Sequence, residues 1–149
     1  MPRYMFLIKS DPHRAEKGDM EPPTELFEAM AQFNEDMAHA GVLIAAEGFR
    51  PTAEDGYRIK FNANDPHDAV SGPFDVSKED HICGFWLIHT KTTEEALSWA
   101  KKVPFTEGEL VMRKVGYCHE LGANYTQELK DREGKLRDKM EQNAKAVKV

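Results

Sequence analysis

Positions 82–88 of the chain, Ile-Cys-Gly-Phe-Trp-Leu-Ile, are apolar without interruption. Side chains alternate across a strand, so one face carries Ile82, Gly84, Trp86 and Ile88 and the other carries Cys83, Phe85 and Leu87. Neither face is written for water. The pattern predicts a central strand with the chain's own helices on one side and a second sheet, from a second copy, on the other. Gly84, between bulky neighbours, predicts a close backbone approach or a bulge. Residues 4–8 form a shorter apolar run and read as a buried first strand.

The rest of the chain alternates between helical and extended patterns. Leu26, Met30, Phe33 and Met37 recur at spacings of three and four, one face of a helix. Thr24 is its expected cap and Gly41 its expected stop. Residues 42–46 predict a second strand, and 57–61 a strand with one wet face. Residues 68–71 predict a short strand entering a turn at Gly72-Pro73. Thr92 and Glu95 predict a capping box opening a second helix, with Ala96, Leu97, Ala100 and Val103 on its apolar side. Pro104 stops it. Residues 109–115 predict the last strand. Residues 124–146 predict a charged helix with a narrow seam of Leu129, Leu136, Met140 and Val147, weakened by Gly134. The order of elements predicts an α+β fold, ferredoxin-like, with an inserted β-hairpin and a C-terminal helix. The expected division is a domain over 1–122 and a helical extension over 123–149.

Charge narrows the function classes. Twenty basic and 26 acidic residues give a net charge of −6 over 149 residues. A general nucleic-acid binder shows a basic face instead. No apolar run approaches the roughly 18 residues of a membrane span, and the N-terminus lacks a signal pattern. Cys83 and Cys118 form no Cys-x-x-Cys pair, so a reducing cytoplasm is the expected setting. No phosphate-binding glycine loop is present, so no nucleotide cofactor is expected.

Candidate chemistry gathers at loops. Residues 10–23 are polar and hold Pro12, Pro22 and Pro23. A connection that long fits a binding loop or lid. Glu47 closes the second strand before Gly48 and is the first candidate for proton transfer, its carboxylate directed into a cleft. The plain alternative is an exposed strand-end glutamate. Lys78 and Glu79 could hold a polar ligand, or form an ordinary surface ion pair. Six histidines are present, and none has the spacing of a zinc site. Asp65, His67 and Asp68 cluster in one loop and Asp80-His81 in another, where solvated turn residues are the simpler reading. Ser71 can donate a hydroxyl, but no nucleophile elbow surrounds it. Phe85, Trp86 and Trp99 read as core.

Ser71-Gly72-Pro73-Phe74, with Ser77-Lys78-Glu79 and Gly84-Phe85 after it, resembles the signature of the DGPF proteins, a branch of the YCII-related superfamily. Tyr4-Met5-Phe6-Leu7-Ile8, Ala46-Glu47-Gly48-Phe49, Trp99 with Pro104, and Tyr125-Thr126-Gln127-Glu128-Leu129 also match, in the right order. The chain departs at Ser71, where the family has Asp, and at Cys83, where it has Gly. The resemblance implies a dimeric α+β barrel, a homodimer closed sheet against sheet. It also implies a histidine–carboxylate active site. Asp11 with His13 is the pair on the loop after the first strand. With Glu47 as acid or base, Ser71, Phe74, Lys78 and Glu79 are the expected substrate contacts. They would take a small polar or aromatic molecule in a pocket between sheet and first helix, for cofactor-free lyase- or isomerase-like chemistry without metal. Two alternatives stand beside it: a non-catalytic dimeric module engaging a protein partner, and a cofactor-free monooxygenase.

Overall fold

Alternating burial along the first strand organises the molecule. In the computed structural model, which describes residues 1–9, 16, 22–61, 63 and 68–147, β1 (Arg3–Lys9) buries Tyr4, Phe6 and Ile8. The residues between them are only partly covered. After it come α1 (Thr24–His39), β2 (Leu43–Gly48), β3 (Tyr57–Lys60), β4 (Asp68–Ser71), β5 (Gly84–His89), α2 (Thr93–Ala100) and β6 (Glu109–Val115). Four strands form one antiparallel sheet in the order β2-β5-β1-β6, and β3 with β4 forms a separate hairpin. Each of β1–α1–β2 and β5–α2–β6 spans a strand of the other, the interleaved plan of ferredoxin-like α+β folds. The mixed architecture, the antiparallel sheet and the inserted hairpin follow the sequence pattern.

One face of the sheet is packed shut. Phe6 stands opposite Trp86 and Tyr4 opposite Ile88, and these four residues are buried with Phe33 and Met37 of α1 and Ala96 of α2. The Phe33 ring meets Trp86 edge-on at 5.5 Å and Trp99 at 6.2 Å. The Trp86 indole N–H donates to Asn34 Oδ1 at 2.7 Å. Each large apolar side chain so buried contributes roughly 1.5–3 kcal/mol. The space between sheet and first helix, expected to hold a pocket, is therefore filled by core side chains. The opposite face carries Met5, Leu7, Ala45, Phe85, Leu87 and Val111, each partly covered.

Local details differ from the sequence pattern in instructive ways. Thr24 is the first helical residue and Pro23 the cap, so α1 begins with no side-chain cap. Pro23 O instead accepts from Leu26 N at 3.0 Å. The Thr92 hydroxyl caps α2 by accepting from Glu95 N at 3.1 Å, while Glu95 reaches past Thr92 to Lys91 N at 2.9 Å. At Gly84 a β-carbon would meet Glu47 O at 2.7 Å, so the expected close approach is real. The bulge falls in β2 instead, where the register shifts between Leu43 and Ala45.

The chain forms two compact units, residues 1–115 and 116–149. In the second, a short turn of 3-10 helix (Cys118–Glu120) is closed by Glu120 accepting from Tyr117 N at 2.7 Å. The helix α3 (Gln127–Ala146) starts at Thr126, whose hydroxyl accepts from Leu129 N. Glu133–Arg137 and Glu141–Lys145 pair along its surface at 2.7 Å. Leu136 and Met140 of the expected seam are exposed. No helix among the described residues is long and apolar enough to cross a membrane.

Candidate functional site

The site is built on a turn. After β2 the chain folds over residues 51–54, and Gly56 N donates back to Thr52 O at 3.1 Å. Gly72, at the end of β4, donates to Gly56 O at 2.8 Å. A β-carbon at Gly72 would lie 2.0 Å from Thr52 O, and one at Gly56 would lie 2.5 Å from it. Both clashes are with backbone, so only glycine lets these segments pass. The Gly72-Pro73 peptide bond that follows is cis.

That packing aims Thr52. The Phe74 N–H donates to Thr52 Oγ1 at 2.9 Å, and the Thr52 hydroxyl donates to Glu16 Oε2 at 2.6 Å. Thr52 N also donates to Glu16 Oε1 at 3.0 Å. On its other side the Glu16 carboxylate stands 3.2 Å from His81 Nε2. Both side chains are only 12% exposed. A carboxylate so far from water needs donors, and here it has a backbone N–H, a hydroxyl and an imidazole. His81 Nδ1 makes no hydrogen bond among the described residues.

His81 lines a cleft of about 510 Å³ between the end of β2, the hairpin and residues 74–82. Phe49, Pro51, Phe74 and Ile82 give it apolar walls. Arg58 of β3 lies over the Phe74 ring, 4.6 Å from its centre, and is gripped by both oxygens of Glu79. Arg50 makes two 2.8 Å bonds to Glu54 on the same rim. Below, Lys9 Nζ joins Glu109 at 2.9 Å and Asp80 at 3.1 Å, pinning the segment that carries His81 to the ends of β1 and β6. Chiefly the Glu109 contact, then Asp80, raises the Lys9 pKa above its ordinary value. Asp75 on the rim is held down to about 2, first by the Ser77 hydroxyl and then by Lys78.

The expected site residues scatter around this cleft. Phe74 and Glu79 line it. Lys78 is exposed and paired with Asp75 at 2.9 Å, apart from Glu79. Ser71 ends β4 opposite Tyr57, on an exposed stretch. Asp11 and His13 lie outside the described residues, as do Asp65 and His67. Glu47 stands opposite Phe85 on the open face of the sheet, exposed, with no polar partner among the described residues. The bulge explains it: counting in twos from the core-facing Leu43 points Glu47 inward, and one extra residue turns it outward.

The residues that do meet include three that sequence reading passes over: Glu16, Thr52 and Arg58. The length of the polar stretch over 10–23 was the signal for Glu16. His81 was visible only as a loop histidine. Among the described residues, no group of three His, Cys, Asp or Glu is placed to hold a metal ion.

A split-βαβ antiparallel sheet with helices on one face, and a loop histidine backed by a carboxylate at the mouth of an inserted hairpin, define a small α+β domain. The YCII-related domain model matches residues 2–115, most of the chain and nearly all of its first unit. The chain belongs to the YCII-related family. No curated protein matches it.

Proposed function

We propose that the cleft binds a small polar or aromatic molecule and that His81, oriented by Glu16, transfers a proton on it without a cofactor. The chemistry is lyase- or isomerase-like. One observation carries this reading: a histidine and a carboxylate in contact at 3.2 Å, both nearly removed from water, at the wall of a cleft with aromatic sides. Imidazole is suited to giving and taking protons near neutral pH, and a carboxylate on one nitrogen fixes which way the ring faces. Phe74 and the Arg58–Glu79 pair offer an apolar wall and polar contacts for the ligand. The proton-transfer role expected for Glu47 passes to His81 in this reading. The Ser71-Gly72-Pro73-Phe74 turn favours the DGPF branch of the family.

The protein acts as a homodimer in this proposal. The open sheet face supports that: Met5, Leu7, Ala45, Phe85, Leu87 and Val111, six apolar side chains on four strands, are only partly covered within one chain. The proposal keeps the expected cytoplasmic setting, with neither Cys83 nor Cys118 in a disulfide.

A thermal-shift screen of small polar and aromatic molecules tests the cleft, run in parallel on the wild type, His81→Asn and Glu47→Gln. A ligand at a hundredfold excess over its dissociation constant stabilises the folded state by about 2.7 kcal/mol. The expected result is a ligand class that shifts the wild type and Glu47→Gln alike and loses its shift with His81→Asn. Shifts lost with Glu47→Gln alone would move the site to the open sheet face. No shift with any compound would favour the partner-binding module, for which the exposed hairpin residues Tyr57, Ile59 and Phe61 are the natural surface.

A further inference from the structure

The cleft that carries His81 has a charge pattern of its own. Four carboxylates line it, Glu54, Asp75, Glu79 and Asp80, against two guanidinium groups, Arg50 and Arg58. Each arginine already holds a carboxylate across two of its nitrogens. Glu54 takes Nε and Nη2 of Arg50, and Glu79 takes Nη1 and Nη2 of Arg58. The other two acids pair outward: Asp75 with Lys78 and Asp80 with Lys9, and neither lysine lines the cleft. Lys60 shares the Arg58 face of the hairpin, but it stands opposite Asp68 and does not line the cleft either. Behind His81 lies a fifth carboxylate, Glu16. Even an imidazolium at His81 would leave the acids of the cleft in excess among the described residues.

A negative ligand entering here meets no uncommitted cation. Arg58 is the cation best placed for a ring compound, because it lies over Phe74, 4.6 Å from the ring centre. Glu79 already holds it from within the same chain, so an external carboxylate competes with a tethered one. It must displace Glu79 or stand beside it as a like charge. A neutral or cationic ring meets neither cost and still finds the apolar walls of Phe49, Pro51, Phe74 and Ile82. The Arg58 and Glu79 side chains are 37% and 41% exposed, so solvent screens the discrimination to modest size.

Resting on the reading that this cleft binds a small molecule, we infer that its ligand is a ring compound carrying no negative charge, and that Glu79, by holding Arg58, is the residue that excludes anions. Glu79 is then a specificity residue, and its pairing with Arg58 sets what the site beside His81 admits.

Three planar probes of nearly one shape test this at neutral pH: benzoate is negative, benzamide neutral and benzamidine positive. Each is titrated into the full-length protein, and binding at the cleft is read from the backbone amide resonances of Phe74 and His81. In the wild type, benzamide and benzamidine are expected to move these resonances, with benzoate binding about tenfold more weakly or worse. Glu79→Gln keeps the size of the side chain and releases the charge of Arg58. It is expected to raise benzoate affinity about tenfold and leave benzamide unchanged. Glu141→Gln removes the same charge from α3 in the second unit, outside the cleft lining, and should not improve benzoate binding. Benzoate binding the wild type as tightly as benzamide would overturn the inference while the cleft itself stands. So would a Glu79→Gln variant with no gain, or an equal gain in Glu141→Gln. No movement of Phe74 or His81 with any of the three probes would remove the small-molecule reading and this inference together.

Discussion

The carbonyl oxygen of Thr52 lies 2.0 Å from the point a β-carbon on Gly72 would occupy. This single approach joins the hairpin to the turn that presents Thr52, and Thr52 in turn holds Glu16. Gly72→Ala must push the two backbones apart, and neither can yield as a flexible side chain would. Overpacking of this kind costs typically about 1–3 kcal/mol. The expected outcome is a drop of that size in unfolding free energy by urea denaturation. It should come with changed amide shifts at Phe74 and His81 in the folded protein. Unchanged shifts would mean that the turn does not govern the cleft.

The Thr52 hydroxyl accepts from one side and donates to the other, between Phe74 N and Glu16. Thr52→Val keeps the shape and removes both bonds. It leaves a partly buried N–H without its acceptor and a carboxylate short of a donor, a loss of about 1–3 kcal/mol. Thr52→Ser keeps the hydroxyl and should retain most of the stability. Equal losses in the two variants would point to the missing methyl rather than the hydrogen bonds.

Asn34 Oδ1 accepts from the indole of Trp86, which is 2% exposed. Asn34→Ala leaves that N–H unpaired where water scarcely reaches it. The expected destabilisation is about 1–3 kcal/mol, measured by the shift in denaturant midpoint at constant slope. Asn34→Asp retains an acceptor and should lose less.

The Asp75 carboxyl is held down to about 2, below the ordinary aspartate range, chiefly by the Ser77 hydroxyl and then by Lys78. A carboxyl depressed in the folded state adds stability that is present above its unfolded pKa and lost as pH falls through the folded one. The window here runs from about pH 4 down to about pH 2. Asp75→Asn should therefore lower stability at neutral pH, slightly because the group is exposed to solvent, and the gap should close across that window. Melting curves of both proteins between pH 2 and 7 check this; parallel curves would contradict it.

Much of the sheet is legible in the sequence because burial on β1 and β5 has a period of two and the residues obey it without interruption. Helix α2 is legible from its cap. The cleft is not, and the reasons are local. Glu16 sits in a polar stretch with no periodicity, and its partner His81 is far along the chain. Gly72 reads as a turn glycine, yet what demands it is a carbonyl contributed by another turn. Glu47 is read from its place before Gly48 at the strand end, which does not show the bulge at Ile44 that reverses the parity of everything after it in β2. Pro23 takes over the cap of α1 because its carbonyl, without any side-chain oxygen, already accepts from the first free N–H groups.

Phe33 touches both tryptophans of the protein, Trp86 on the sheet and Trp99 at the end of α2. Every indole chromophore in the chain is thus packed against one ring of α1 in an asymmetric setting. Detachment of that helix would alter indole fluorescence and near-ultraviolet dichroism together, while far-ultraviolet helicity could persist. The protein therefore carries its own optical reporter for side-chain order, and no label is needed to see α1 leave the sheet.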